Sequence, residues 1–155
     1  MTDPYLIAKW LHILSSTLLF GTGIGTAFQM VRAMATRDAR HIHATAKGVV
    51  LADWLFTVPS GIAQPLTGLW LIHLQGWSLT EPWLLAAYAL YLLALVCWLP
   101  VAHLQIRIRD LTRDTDTLDP LAMRLYRIWF ALGWPAFLGL IAIYWLMVAK
   151  PPLAF

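Results

Sequence analysis

Four stretches of this 155-residue chain are long and apolar enough to cross a bilayer, and the segments between them are short. A span needs about 20 mostly apolar residues; residues 5–31, 49–74, 82–106 and 128–149 each reach that length. Unbroken apolar runs read as helices, because lipid offers no partner to an open backbone and barrel strands alternate instead. The expected fold is all-α and integral to the membrane: a four-helix transmembrane bundle, one domain over residues 1–155. Composition removes the alternatives. Hydrophobic residues make up 60% of the chain and charged residues 12%, against about 45–50% and about 25% in soluble domains. The first run is too long for a cleavable signal peptide and lacks a basic start. Cys97 is the one cysteine, so there is no internal disulfide.

The connections carry the orientation. Arg32, Arg37, Arg40 and Lys47 lie between spans one and two; Arg107, Arg109, Arg113, Arg124 and Arg127 lie between spans three and four. These are nine of the 11 Lys and Arg residues, and the connection between spans two and three holds none. The positive-inside rule then puts both termini outside, in the periplasm of a bacterium, with a multi-pass chain in the inner membrane. Topology accounts for the basic charge, so nucleic acid is not an expected partner. The lipid bilayer is.

Ionisable residues at membrane depth attract a functional hypothesis. Lys9 and His12 are three apart and share a helix face; Lys9 reads either as a cation snorkelling to the surface or as a partner for an anionic cofactor group. His73 closes span two in the same leaflet as His12. Two imidazoles facing one another between helices are what a bis-histidine haem b needs. His73 also reads as an interfacial residue beside Trp77. Gly21 and Gly25 form a Gly-x-x-x-Gly helix contact, and Gly23 leaves room for a flat macrocycle. In span two, Asp53, Thr57, Ser60, Gln64 and Thr67 follow steps of 4, 3, 4 and 3, one polar stripe that avoids lipid. Asp53 needs a partner there. Arg127 and Arg124 are the expected ones and Lys47 the next. His41, His43 and His103 read as solvated or interfacial residues at the basic side. Trp10, Trp77, Trp83 and Trp145 read as interfacial belts.

Several of these residues carry a resemblance. Lys9-Trp-Leu-His-Ile-Leu, Leu-Phe-Gly-Thr-Gly-Ile-Gly from Leu19, Val50-Leu-Ala-Asp-Trp-Leu-Phe-Thr, Gln64-Pro-Leu-Thr-Gly-Leu-Trp-Leu and Trp129-Phe-Ala-Leu-Gly-Trp-Pro-Ala resemble a bacterial family of four-span integral membrane proteins of unknown function. That likeness covers nearly the whole chain and implies the fold, with no activity. Span one alone is similar, more distantly, to the HemJ-type membrane protoporphyrinogen oxidases and to the copper-resistance D membrane domain. The first of these implies that His12 ligates b-type haem.

The leading expectation is a membrane haem b protein with an outer-leaflet site between spans one and two. His12 and His73 are its axial ligands and metal-binding residues, and Lys9 and Gly23 line the cofactor. Its role is electron transfer, or oxidation of a porphyrin-like or quinone-like substrate, as a haem-dependent oxidoreductase with a redox partner or quinone. Asp53, Gln64 and Arg127 form a polar interior. The alternatives are a homo-oligomeric module that moves a proton, metal ion or small solute along that stripe, and a non-catalytic anchor for another subunit.

Overall fold

A computed structural model of the chain describes residues 3–152. They form α1 (Pro4–Thr36), α2 (Ala39–Ala52), a π-helical turn (Asp53–Thr57), α3 (Val58–Gln75), α4 (Pro82–Leu111) and α5 (Pro120–Ala149), with no strand among the described residues. The π turn joins α2 to α3, so the chain makes four long rods, each apolar enough to cross a membrane.

The helices outrun the apolar segments. α1 has 33 residues and is about 50 Å long at 1.5 Å per residue, well beyond the roughly 30 Å hydrocarbon core. Residues 32–48, expected as a connection, are therefore almost wholly helical. Only Arg37 and Asp38 turn the chain, Arg37 in the left-handed region at φ 57°. α2 hides in the sequence because its mean apolarity is low, yet Ala39, Ile42, Ala46 and Val49 recur every three or four residues and are buried. The carboxylates of Asp3, Asp38 and Asp119 accept bonds from first-turn N–H groups of α1, α2 and α5, and Pro opens α1, α4 and α5. Both devices satisfy or remove the orphan donors of a helix start.

α1 packs along α3 and α4 along α5, and α2 joins the two pairs. At this basic end Met30, Met34, Ile42, Ile108 and Trp129 form the main core. At the opposite end, which carries both termini, Ile72, Trp83 and Leu84 pack together. Lys150 Nζ lies 4.9 Å from the Trp77 ring centre and 5.5 Å from that of Trp83. Trp83 is thus buried beneath a cation rather than part of an interfacial belt, whereas Trp10, Trp77 and Trp145 are exposed. The middle of the bundle is open.

Candidate functional site

The predicted stripe faces inward as expected. Asp53, Thr57, Ser60 and Thr67 are buried and Gln64 is half-buried. Its two halves have different surroundings.

Near the terminal end the stripe closes on α1. His12 Nδ1 lies 2.8 Å from Thr67 Oγ1, and Thr67 Oγ1 donates to the Ala63 carbonyl at 2.6 Å. A hydroxyl has a single proton, so His12 is the donor in the first contact and its Nε2 keeps a bare lone pair. Gln64 Nε2 donates to the His12 carbonyl at 2.8 Å and to Ser15 Oγ. The His12 ring rests on Gly68, where an added Cβ would meet His12 Cε1 at 3.4 Å.

Near the basic end the stripe meets a cavity of about 850 Å³ bounded by α1, the π turn, α3, α4 and α5. The π turn places Asp53 and Thr57 on its wall. Pro59 has no N–H for the Leu55 carbonyl and its ring crowds that oxygen. The helix widens just before it, and Val58 N–H reaches back five residues to the Asp53 carbonyl. Such turns recur at functional positions in helices. Asp53 Oδ1 accepts the Thr57 hydroxyl at 2.8 Å, and Oδ2 accepts Gln105 Nε2 from α4. Trp129 Nε1 of α5 donates to Gln105 Oε1 at 3.2 Å. Indole nitrogen only donates, which fixes the Gln105 amide: oxygen toward Trp129, nitrogen toward Asp53. Pro65 also leaves a gap, the Gly61 carbonyl four residues before it. The Tyr91 hydroxyl of α4 donates to that oxygen.

The remaining cavity wall is apolar. Leu19, Val58, Leu95 and Leu140 line it, with Phe20, Trp98, Trp134 and Phe137 among its aromatic side chains. Phe20 stacks on Phe137 at 5.2 Å. Ile24 and Phe28 of α1, Trp134 of α5, Ile62 and Leu66 of α3 and Leu95 of α4 line it and are also exposed. It therefore opens to the helix surfaces that meet lipid.

Several expectations are corrected here. Arg127 does not partner Asp53. It is exposed, two residues before Trp129 and so about 200° around α5 from the side that faces Gln105. Arg124 and Lys47 are exposed as well. Gln105, Tyr91 and Trp129 were not singled out from sequence. A lone amide inside an apolar run was the available signal for Gln105.

His73 is exposed at the end of α3, about 240° around the helix and 9 Å along it from Thr67. Its ring makes no hydrogen bond with His12 among the described residues. Lys9 is exposed, its Nζ 5.6 Å from the Tyr5 ring centre. Gly23 lines the cavity, with nothing within 4 Å of an added Cβ, but His12 does not line it. An added Cβ meets nothing within 4 Å at Gly21 or Gly25 either, so their expected helix contact is not made within the described residues. His41 and His103 are exposed, and His43 Nδ1 bonds the Arg109 carbonyl at 2.7 Å.

Four apolar rods, each long enough to cross a bilayer, define a multi-pass integral membrane protein. Residues 6–151 match the family described as "Predicted integral membrane protein (DUF2269)", and the chain belongs to that family. No curated protein and no solved structure matches it.

Proposed function

We propose that this membrane protein takes a lipophilic small molecule from the bilayer and holds it inside the bundle, its polar group against Asp53 and Gln105. One observation carries the reading: a largely apolar cavity of about 850 Å³ whose wall brings Asp53, Thr57 and Gln105 together. Ligand sites fall typically at about 300–1,000 Å³ and combine apolar walls with a few convergent polar groups. The exposed lining residues supply an entry from lipid. The nine basic residues of two connections support placing that end on the cytoplasmic side of a bacterial inner membrane.

Tryptophan emission tests it, because Trp98, Trp129 and Trp134 all line the cavity. Saturable quenching by 2-methyl-1,4-naphthoquinone in nanodiscs is expected for the wild type. Gly133→Leu should remove it without unfolding the protein, since a Cβ at Gly133 meets nothing within 4 Å and the residue lines the cavity. Quenching that is equal in both proteins overturns the reading.

A second reading rests on a different atom. The bare His12 Nε2 has the tautomer of a metal-ligating imidazole, whose other nitrogen is pinned by a hydrogen bond. Haem b, with the redox role expected of it, is then held by His12 without His73. Its test is a haem absorption band in purified protein, lost in His12→Ala and kept in His41→Ala and His73→Ala.

A further inference from the structure

The polar cluster of the cavity has already spent most of its donors. Trp129 N–H goes to Gln105, one Gln105 N–H and the Thr57 hydroxyl go to Asp53, and the Tyr91 hydroxyl goes to the Gly61 carbonyl. Beyond one remaining Gln105 N–H, these groups offer a ligand lone pairs, chiefly those of the Asp53 carboxylate.

Charge points the same way. The sequence has eight acidic residues. Seven lie in connections or at helix ends, where water or arginine reaches them; Asp110, for instance, pairs with Arg109 and Arg113. Asp53 alone lies within a span, buried on the cavity wall, and it forms no ion pair among the described residues. No Lys, Arg or His lines the cavity. An ionised carboxylate in apolar surroundings is costly until a cation meets it. The walls suit a cation too: Trp98, Trp129, Trp134 and Phe137 bring aromatic side chains to the space, and their ring faces attract positive charge.

We propose that the cavity binds a lipophilic organic cation, its charge held by Asp53 and its apolar body against the aromatic wall. This rests on the cavity being a ligand site and narrows its chemistry. A lipid anion would meet the Asp53 charge head-on. A quinone, which only accepts hydrogen bonds, would find one free N–H in the Asp53 cluster, that of Gln105, among lone pairs.

The test uses the full chain in phosphatidylcholine nanodiscs with two probes of the same shape and opposite charge, tetraphenylphosphonium and tetraphenylborate. 2-Methyl-1,4-naphthoquinone is the neutral probe, and binding is counted above that of protein-free discs. The phosphonium should bind saturably and about tenfold or more tighter than the borate, a factor equal to one charge-assisted contact. Asp53→Asn should weaken phosphonium binding by a similar factor, about tenfold, and leave the naphthoquinone unchanged. If Asp53→Asn does not fold, the ratio of the two ions on the wild type decides. Equal affinity for the two ions overturns the cation assignment while naphthoquinone binding still upholds the cavity. So does an Asp53 dependence seen with the naphthoquinone alone, which would mark a protonated carboxyl donating to it. Binding of none of the three overturns the cavity reading itself.

Discussion

His12 and Asp53 answer to one stripe of polar residues, yet the stripe ends in two different ways. Around Gln64 and Thr67 it closes on α1, and each polar side chain spends itself on a neighbour: Thr67 on His12, Gln64 on Ser15 and the His12 carbonyl. Around Asp53 and Thr57 it meets the cavity, where the bonds reach across to α4 and α5 and leave carboxylate lone pairs over. The first half stitches two helices together. The second also binds helices, but it keeps unused bonding capacity beside open space, which is what a binding site requires. The π turn and Pro59 separate the two behaviours, because they widen the helix at the point where the stripe meets the cavity.

The sharpest way to break this contrast is Gln105→Leu. It strips Asp53 Oδ2 and Trp129 Nε1 of their partner at once. Leaving buried polar groups without their partner costs about 1–3 kcal/mol, read as a lower midpoint in detergent unfolding. Gln64→Leu, in the closed half, removes two bonds between α1 and α3. Interhelical bonds in membranes are worth about 0.6–2 kcal/mol, so a smaller loss is expected, with ligand quenching intact. Equal effects of the two substitutions on quenching would erase the distinction between the halves.

Tyr91→Phe sits between them. It leaves the Gly61 carbonyl without the donor that Pro65 denies it, at a cost of about 1 kcal/mol. Because Tyr91 lines the cavity without donating into it, ligand affinity should change by less than about threefold, under 1 kcal/mol. A larger change measured by titration would make Tyr91 part of the ligand contact.

The contrast was half legible in the chain. Spacing alone places Asp53, Thr57, Ser60, Gln64 and Thr67 on one inward face, because helical period is local information. Partners are not local. Asp53 and Gln105 are 52 residues apart, and proximity in topology favoured an arginine; only the rotation of α5 shows that Arg127 turns away as Trp129 turns in. The same holds for His73, whose azimuth on α3 was not decisive until the helix proved to run from Val58 to Gln75, with regular turns between Thr67 and His73. α2 was missed because its buried face is made of alanines and a few branched residues between charges. The cavity has no sequence signature at all, since its walls use the same leucines and aromatics that elsewhere face lipid.

Gly68→Ala gives the smallest effect and the finest test of the closed half. Alanine in a helix interior gains about 0.5–1 kcal/mol over glycine. Here the new Cβ meets His12 Cε1 at 3.4 Å, and the ring cannot retreat freely because Thr67 holds its Nδ1 at 2.8 Å. The two terms should nearly cancel, leaving a net change within about 0.5 kcal/mol. In a His12→Ala background the opposing contact is gone, so the same substitution should show its full gain of about 0.5–1 kcal/mol. The difference between the two backgrounds is a coupling energy of the kind that residues in contact show. If alanine stabilises equally in both, His12 is not pinned against α3, and its Nε2 loses the fixed direction that the haem reading needs.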